Sequence, residues 1–402
     1  MFQHISRLNA DAILGLMAKF RADPHPQKVD LGVGVFRDLA GNTPILDCVR
    51  RAEKEVLAAQ TTKSYVSAAG REEFNSSVEA LVLGVDHAAR RDRRARTVQT
   101  PGGCGALRVG AELMRAAGST ATVHVSDPTW GNHVPLLGSS GFRLERYPYY
   151  DAQAHRLLFE PMMEHLERVP AGDVVLVHGC CHNPTGADLS LAQWEALAKL
   201  LERRRLVPFL DLAYQGFGAG LEADAAGVRL VAGRVPESLI AVSFSKNLGL
   251  YRERVGALIS IGENEERANA MLSHVLQIAR SIYSMPPDHG AAIAAHIFAS
   301  EKYTSDWIRE LDAMRTRMTD MRNLLAEELR RAIGDKSFDF IRTQHGMFSL
   351  LGVSPAAVER LREEHHIYML GDSRMNVAGL MPQNAAYVAA AVAKTLAMER
   401  AA

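Results

Sequence analysis

Val174-Val-Leu-Val-His178, followed at once by Gly-Cys-Cys-His-Asn183-Pro-Thr-Gly186, is a continuous apolar run of strand length that breaks into a polar, turn-forming segment. A run without period-two alternation suits a strand buried on both faces of a mostly parallel sheet. Two more runs have the same form, Val207-Pro-Phe-Leu-Asp211 and Leu239-Ile-Ala-Val-Ser243. Between the first two lies Leu191–Arg203, where Trp194, Leu197, Leu200 and Leu201 share one helical face. Strands alternating with helices predict an α/β fold with right-handed crossovers.

Working outward, the pattern changes from Tyr303 to Ile333. Trp307, Leu311, Met314, Met318, Met321, Leu325 and Leu329 recur every three or four residues, which predicts one apolar stripe on a long helix. The methionines read as packing rather than as a functional cluster. Short strand-like runs follow at Phe338–Ile341, Met347–Leu351 and Tyr368–Leu370, with a final helix near Asn384–Arg400. These predict a smaller α+β unit, against which the early Val29–Arg37 segment could close.

Composition bounds the function. Of 402 residues, Lys+Arg and Asp+Glu number 46 each, so bulk charge does not favour nucleic acid or an anionic membrane. The short arginine runs at Arg90–Arg96 and Arg203–Arg205 read as solvated helix faces. Cys48, Cys104, Cys180 and Cys181 have neither a disulfide framework nor zinc-ligand spacing, so a reducing compartment and no metal are expected. Met1–Phe20 does not read as a signal peptide, and no apolar stretch is long enough to span a bilayer. A soluble, cytoplasmic protein is expected.

Each buried run ends in polar residues, and ligands of open parallel sheets bind beyond the carboxyl ends of the strands. That directs attention to His178–Gly186, to Asp211-Leu-Ala-Tyr214-Gln-Gly216 and to Ser243-Phe-Ser245-Lys246, continuing through Arg254 to Gly256. Thr100-Pro-Gly-Gly103-Cys104-Gly-Ala-Leu-Arg108 adds a Gly-rich turn opening a helix, where backbone N–H groups can cradle a phosphate. Taken singly, each has a bland reading: a tight turn, a helix cap, a surface lysine, an ion-pairing arginine. Together they form a set that pyridoxal phosphate (PLP) requires. Its phosphate needs backbone donors and a cation, its ring nitrogen a carboxylate, its phenolate oxygen hydrogen-bond donors and its aldehyde a lysine amine.

The succession TPGGxGALR, D-P-x-W-x-N-H, CCHNPTG, D-x-AYQGF, S-x-SKN-x-GLY-x-ERVG and NVAG resembles the class I aspartate/aromatic amino acid aminotransferases of fold type I, alpha subgroup, essentially end to end. The resemblance implies a large domain with a mostly parallel sheet flanked by helices, plus a smaller α+β domain. It divides the chain into an arm at 1–12, a small domain at 13–43 with 313–402, and a large PLP-binding domain at 44–312. It implies that Lys246 carries the cofactor and then moves a proton, that Asp211 pairs with the ring nitrogen, and that His133 supports Asp211. Asn183 and Tyr214 would contact the phenolate oxygen and Trp130 would stack on the ring. Gly103, Cys104, Ser243, Ser245 and Arg254 would hold the phosphate, helped by Tyr65 from a neighbouring subunit. Arg374 would bind the substrate α-carboxylate. Arg280, crossing from the partner, would bind a side-chain carboxylate. Gly34 within Val33–Val35 would fold over the substrate, and Phe348 would line the entrance. The site would therefore belong to a homodimer.

The chain departs from the family's pattern at Cys104, where Ser or Thr is usual. A thiol is the weaker donor, so slightly weaker cofactor retention is expected. Val35, Arg37 and Thr43 resemble the aspartate branch, Asp127–Trp130 and Phe209–Gly220 the aromatic branch, and Met285 neither. The expected reaction moves an amino group between L-aspartate and 2-oxoglutarate by a ping-pong mechanism, with aromatic amino acids as further substrates. A mainly aromatic enzyme, or a PLP lyase or decarboxylase on the same fold, is the alternative. Ser243-Phe-Ser-Lys246 also spells the S-x-x-K nucleophile motif, but the S-D-N and K-T-G elements that should accompany it do not occur. A regulator with a DNA-binding extension is not expected either, because the resemblance begins at Met1.

Overall fold

A computed structural model describes residues 2–7 and 12–401. Of the arm expected at 1–12, residues 1 and 8–11 lie outside the described residues, and Phe2–His4 forms a single 3-10 turn.

Seven strands form one sheet: β1 (Ala95–Pro101), β2 (Thr122–Asp127), β3 (Arg143–Pro148), β4 (Val174–His178), β5 (Val207–Leu212), β6 (Ser238–Ser243) and β7 (Val255–Ile261). Their order is β1-β7-β6-β5-β4-β2-β3, and only β7 runs against the rest. Every residue of β4 and β6 is buried, as continuous apolar runs in a covered sheet require. Because β1, β2, β4, β5 and β6 are parallel, Pro101, Asp127, His178, Leu212 and Ser243 end at one edge. The reversal of β7 brings its first residue to that edge too, with Val255 opposite Pro101. Arg254, just before β7, is thereby delivered among the strand ends.

The covering helices follow from capping and pattern. Leu191–Arg204 starts with a capping box between Ser190 and Gln193 and ends where Arg205 turns left-handed at φ 54°. Such a cap contributes about 1 kcal/mol. The helix buries Trp194, Leu197, Leu200 and Leu201, the face expected from their spacing.

Glu301–Ile333 is capped by Ser300 and stopped by Gly334. Trp307, Leu311, Met314 and Met318 enter the core on the sheet side. Met321, Leu325 and Leu329 enter a second core with Val29, Leu31, Ile367, Met375 and Val388. The methionines are thus packing residues, and one helix joins both cores. In the second unit Val29–Asp30 pairs in parallel with Ile367–Tyr368, and Phe348–Leu350 pairs antiparallel with Arg374–Asn376. The final helix is Pro382–Ala401.

Three expectations need correction. Arg90–Arg96 is not a helix face: the helix Ala88–Arg91 ends early, the chain turns, and Arg96 belongs to β1. Phe338–Ile341 is not a strand. The chain turns as a 3-10 helix at Asp339–Thr343, with Ile341 buried and its carbonyl accepting a hydrogen bond from Arg322. Of Tyr368–Leu370, only Tyr368 belongs to a strand. No helix among the described residues is long and apolar enough to cross a membrane.

Candidate active site

A cavity of about 240 Å³ opens at the strand edge between the two units. Its floor is Asp211, opposite His178 in the β4–β5 register and 5% exposed. Asp211 Oδ2 lies 3.0 Å from Nε2 of the fully buried His133, whose Nδ1 is 2.9 Å from Thr129 Oγ1. Burial acts to raise the Asp211 pKa, but the His133 hydrogen bond and the nearby positive charges outweigh it and hold the carboxyl below its usual range. An ionised carboxylate is therefore kept in a dry site. His178, also on this floor, is pushed by burial down to about 3 and stays neutral, with neither ring nitrogen hydrogen-bonded.

Lys246 extends into the cavity from the turn after β6, its Nζ 4.8 Å from the centre of the Tyr214 ring. Burial pushes the amine below its usual pKa, with the Asp211 charge opposing. A lysine so placed is a better nucleophile than one in water. Burial likewise pushes the Tyr214 phenol up, so its hydroxyl remains a donor. Trp130 forms one wall, its ring edge-on to His133 at 5.2 Å.

Cationic and backbone donors converge at one corner. The helix Gly102–Ala116 begins directly after β1, with Gly102 at φ 69°. A Cβ there would collide with the Arg254 guanidinium, so glycine lets the arginine lie against the helix start. Arg254 itself has φ 54°, and its NH1 donates to Tyr251 O at 3.0 Å and to Ser245 Oγ at 3.4 Å. Gly103, Cys104, Ser243 and Ser245 line the same corner. A helix N-terminus and a guanidinium side by side suit an anion such as phosphate. Cys104 Sγ is 3.8 Å from Asn132 Nδ2.

The opposite wall comes from the second unit. Arg374 is 4% exposed; it donates from NH1 to Asn183 Oδ1 at 3.3 Å and from NH2 to Gly32 O at 2.9 Å. Its Nε has no hydrogen-bond partner, and its guanidinium stacks 4.3 Å from the Phe348 ring centre. A strap at 32–36 closes this side. Asn376 Nδ2 donates to Val33 O and Val35 O at 2.6 and 2.8 Å, and Phe36 N donates to Tyr251 Oη at 2.9 Å. A Cβ on Gly34 would meet Phe348 Cζ at 2.9 Å.

The fold thus gathers Gly34, Gly103, Cys104, Trp130, Asn183, Asp211, Tyr214, Ser243, Ser245, Lys246, Arg254, Phe348 and Arg374 around one cavity, with His133 behind Asp211. Tyr65 and Arg280 lie outside it. Tyr65 is 90% exposed, and Arg280 is exposed and bonded to Ser284. Sequence reasoning missed His178 and Tyr251, though both stand inside motifs already singled out. It also missed Leu107 and Ala213, which stand inside such motifs too, and Ile13, which lines the cavity without any local signal.

The donor set fits PLP: a buried lysine amine, a buried ionised carboxylate and an anion corner share one cavity of suitable chemistry. Comparison with known proteins agrees. The family described as aminotransferase class I and II matches residues 26–392. An aromatic-amino-acid aminotransferase of Paracoccus denitrificans is 46% identical over 92% of this chain and 93% of its own. The aspartate aminotransferase of Escherichia coli (strain K12) is 43% identical over 98% of this chain and 100% of its own. The crystal structure of the aromatic-amino-acid aminotransferase from Burkholderia pseudomallei, covalently bound to pyridoxal phosphate, has a TM-score of 0.96 at 43% identity and covers 98% of this chain and 99% of that one. The chain belongs to the class I and II aminotransferases. It has their fold type I architecture and is a PLP-dependent aminotransferase.

Proposed function

We propose that the chain is an aspartate aminotransferase that also accepts aromatic amino acids, uses 2-oxoglutarate as acceptor and works as a homodimer with shared active sites. The observation that carries this reading is the placement of Lys246, Asp211 and Arg374 around a single buried cavity.

Bound PLP would supply a cationic ring that withdraws electrons from the substrate Cα. Asp211 would pair with that ring nitrogen, and His133 orients Asp211. Lys246 would hold the cofactor through its amine, and the same amine, when free, would serve as the base that moves the Cα proton. Tyr214 and Asn183 would offer hydrogen-bond donors to the phenolate oxygen, and Trp130 would flank the ring. Gly103, Cys104, Ser243, Ser245 and Arg254 would hold the phosphate. Arg374 receives the α-carboxylate bidentately, a geometry supported by its buried, cavity-lining position. Phe348 and Gly34 exclude water above it.

Tyr65 and Arg280 act in the partner's cavity in this reading, to which their exposure in one chain lends support. Arg280 would bind a side-chain carboxylate and swing aside for aromatic side chains. The division into 44–312 and 13–43 with 313–402 draws support from a separate core around Val29, Leu325 and Val388, with Phe36, Met314, Met318 and Phe348 packing into the larger unit's core at the seam, and it would let the small unit close over substrate. A cytoplasmic setting belongs to the same proposal and rests on four free cysteines.

The test is spectroscopic. PLP-supplemented protein should absorb as the lysine-bound cofactor, change on adding aspartate, and lose the lysine-bound band in Lys246→Ala. Colourless wild-type protein would overturn the reading. A kcat/KM strongly favouring phenylalanine over aspartate would instead establish the mainly aromatic alternative.

A further inference from the structure

Arg322 is 2% exposed, in the middle of the helix Glu301–Ile333. A buried guanidinium normally faces a carboxylate. Here the five hydrogen-bond acceptors are uncharged and belong to one short segment. NH1 donates to Ser349 Oγ at 2.6 Å and Ile341 O at 3.3 Å. NH2 donates to Phe348 O, Gly346 O and His345 O at 2.6, 2.8 and 3.0 Å. Burial pushes its pKa down to about 10, which still leaves it charged at neutral pH. Anchoring a helix needs only an apolar side chain. A planar fork that collects the carbonyls of His345, Gly346 and Phe348 defines the path of that segment.

The segment leads to the cavity. Across from Arg322, His345 N donates to Gly186 O at 2.7 Å, and a Cβ on Gly186 would lie 2.5 Å from Phe348 O. The segment is therefore clamped between Arg322 and the turn that carries Asn183. Ser349 Oγ passes the contact on to Gln344 Oε1 at 2.6 Å, and Gln344 Nε2 to Tyr150 Oη at 2.9 Å. Downstream, the Phe348 ring stacks 4.3 Å from the Arg374 guanidinium and stands edge-on to Tyr214 at 6.1 Å. Leu350, in the same strand, pairs with Arg374 itself.

We propose that Arg322 is a positioning residue for substrate binding. It holds the 345–349 segment so that Phe348 and the strand beside it present Arg374 to the substrate carboxylate. This rests on the reading of Arg374 as the carboxylate receptor. Arg322 touches neither substrate nor cofactor, so its effect falls on KM rather than on the cofactor.

The test uses PLP-loaded Arg322→Lys, which keeps the charge but not the fork, and Ser349→Ala, which keeps the guanidinium and removes one acceptor. Arg322→Lys should raise KM for the amino acid about tenfold, with kcat within about threefold and bound-cofactor absorption unchanged. In a Phe348→Ala background the same substitution should add clearly less, because the ring contact to Arg374 is gone and only the strand pairing remains. Native KM with only a lower melting temperature, or full additivity with Phe348→Ala, would overturn the proposal. If Arg322→Lys does not fold, Ser349→Ala decides. A KM raised about threefold supports the proposal, and a native KM refutes it. Failure of the functional reading shows separately, as wild-type protein that neither binds PLP nor transaminates.

Discussion

His133 Nε2 stands 3.0 Å from Asp211 Oδ2 in a site where His133 is 0% and Asp211 5% exposed. An ionised carboxylate can only accept, so Nε2 carries a proton towards it, while Nδ1 lies 2.9 Å from Thr129 Oγ1 on the other side of the ring. The pair keeps a negative charge where burial alone would neutralise it.

The sign of the pH dependence follows. A depressed folded-state pKa means the ionised form, and the stability it contributes, persists above the ordinary carboxylate range and is lost as pH falls through the lowered value. In His133→Phe the carboxyl should rise, so cofactor binding and kcat should fail at a pH at least about one unit higher than in wild type. Titrating cofactor absorbance downward from neutrality measures this. Coincident acid limbs would show that His133 does not set the charge.

Arg374→Lys keeps a cation but loses the fork that matches a carboxylate. We expect kcat/KM to fall about 100-fold, alike for dicarboxylic and aromatic amino acids, because the α-carboxylate is common to both. Steady-state kinetics with both substrate classes checks this. A loss confined to one class would assign Arg374 to side-chain recognition.

Cys104→Ser should slow cofactor release about three- to tenfold, since a hydroxyl donates a stronger hydrogen bond than a thiol at the anion corner. Loss of bound-cofactor absorbance after rapid dilution gives the rate, and equal rates would leave only backbone groups in that role.

Mixing chains tests the shared site. Arg280→Ala and Arg374→Ala homodimers should each transaminate aspartate poorly. Refolded together, they should recover up to about a quarter of native activity, because in the proposed arrangement every mixed dimer would assemble one intact site of its two from Arg374 of one chain and Arg280 of the other. No recovery, with mixed dimers confirmed by mass, would place both arginines in one chain's site.

Asn376→Ala removes the donor held by Val33 O and Val35 O at 2.6 and 2.8 Å. Removing this donor leaves Val33 O with only Val35 N, at 2.9 Å, and takes the side-chain donor from Val35 O; the loss should cost about 1–3 kcal/mol of stability, read from denaturant unfolding, and should raise substrate KM. An unchanged KM would detach the strap from substrate binding.

Much of the site was legible because its parts are local in the chain. Asn183, Asp211, Tyr214, Ser243 and Lys246 each lie on or just after a buried strand, and parallel strands bring their ends to one edge. Phe338–Ile341 misled for the converse reason. An apolar run of four carries no period that separates a strand from a tight helical turn, and the acceptor role of Ile341 depends on Arg322, 19 residues away.

The order of apolar runs and polar turns was sufficient on its own to specify an α/β sheet, its ligand-bearing edge and the lysine, carboxylate and glycine-rich turn upon it. Packing alone decided that neutral His178 faces Asp211, that Tyr251 reaches Phe36 across 215 positions, and that Arg374 meets Asn183 across 191. Strand and turn signals act over a few bonds and leave a pattern in the chain. Contacts between the two units arise only when separate cores dock, and no spacing of residues records them.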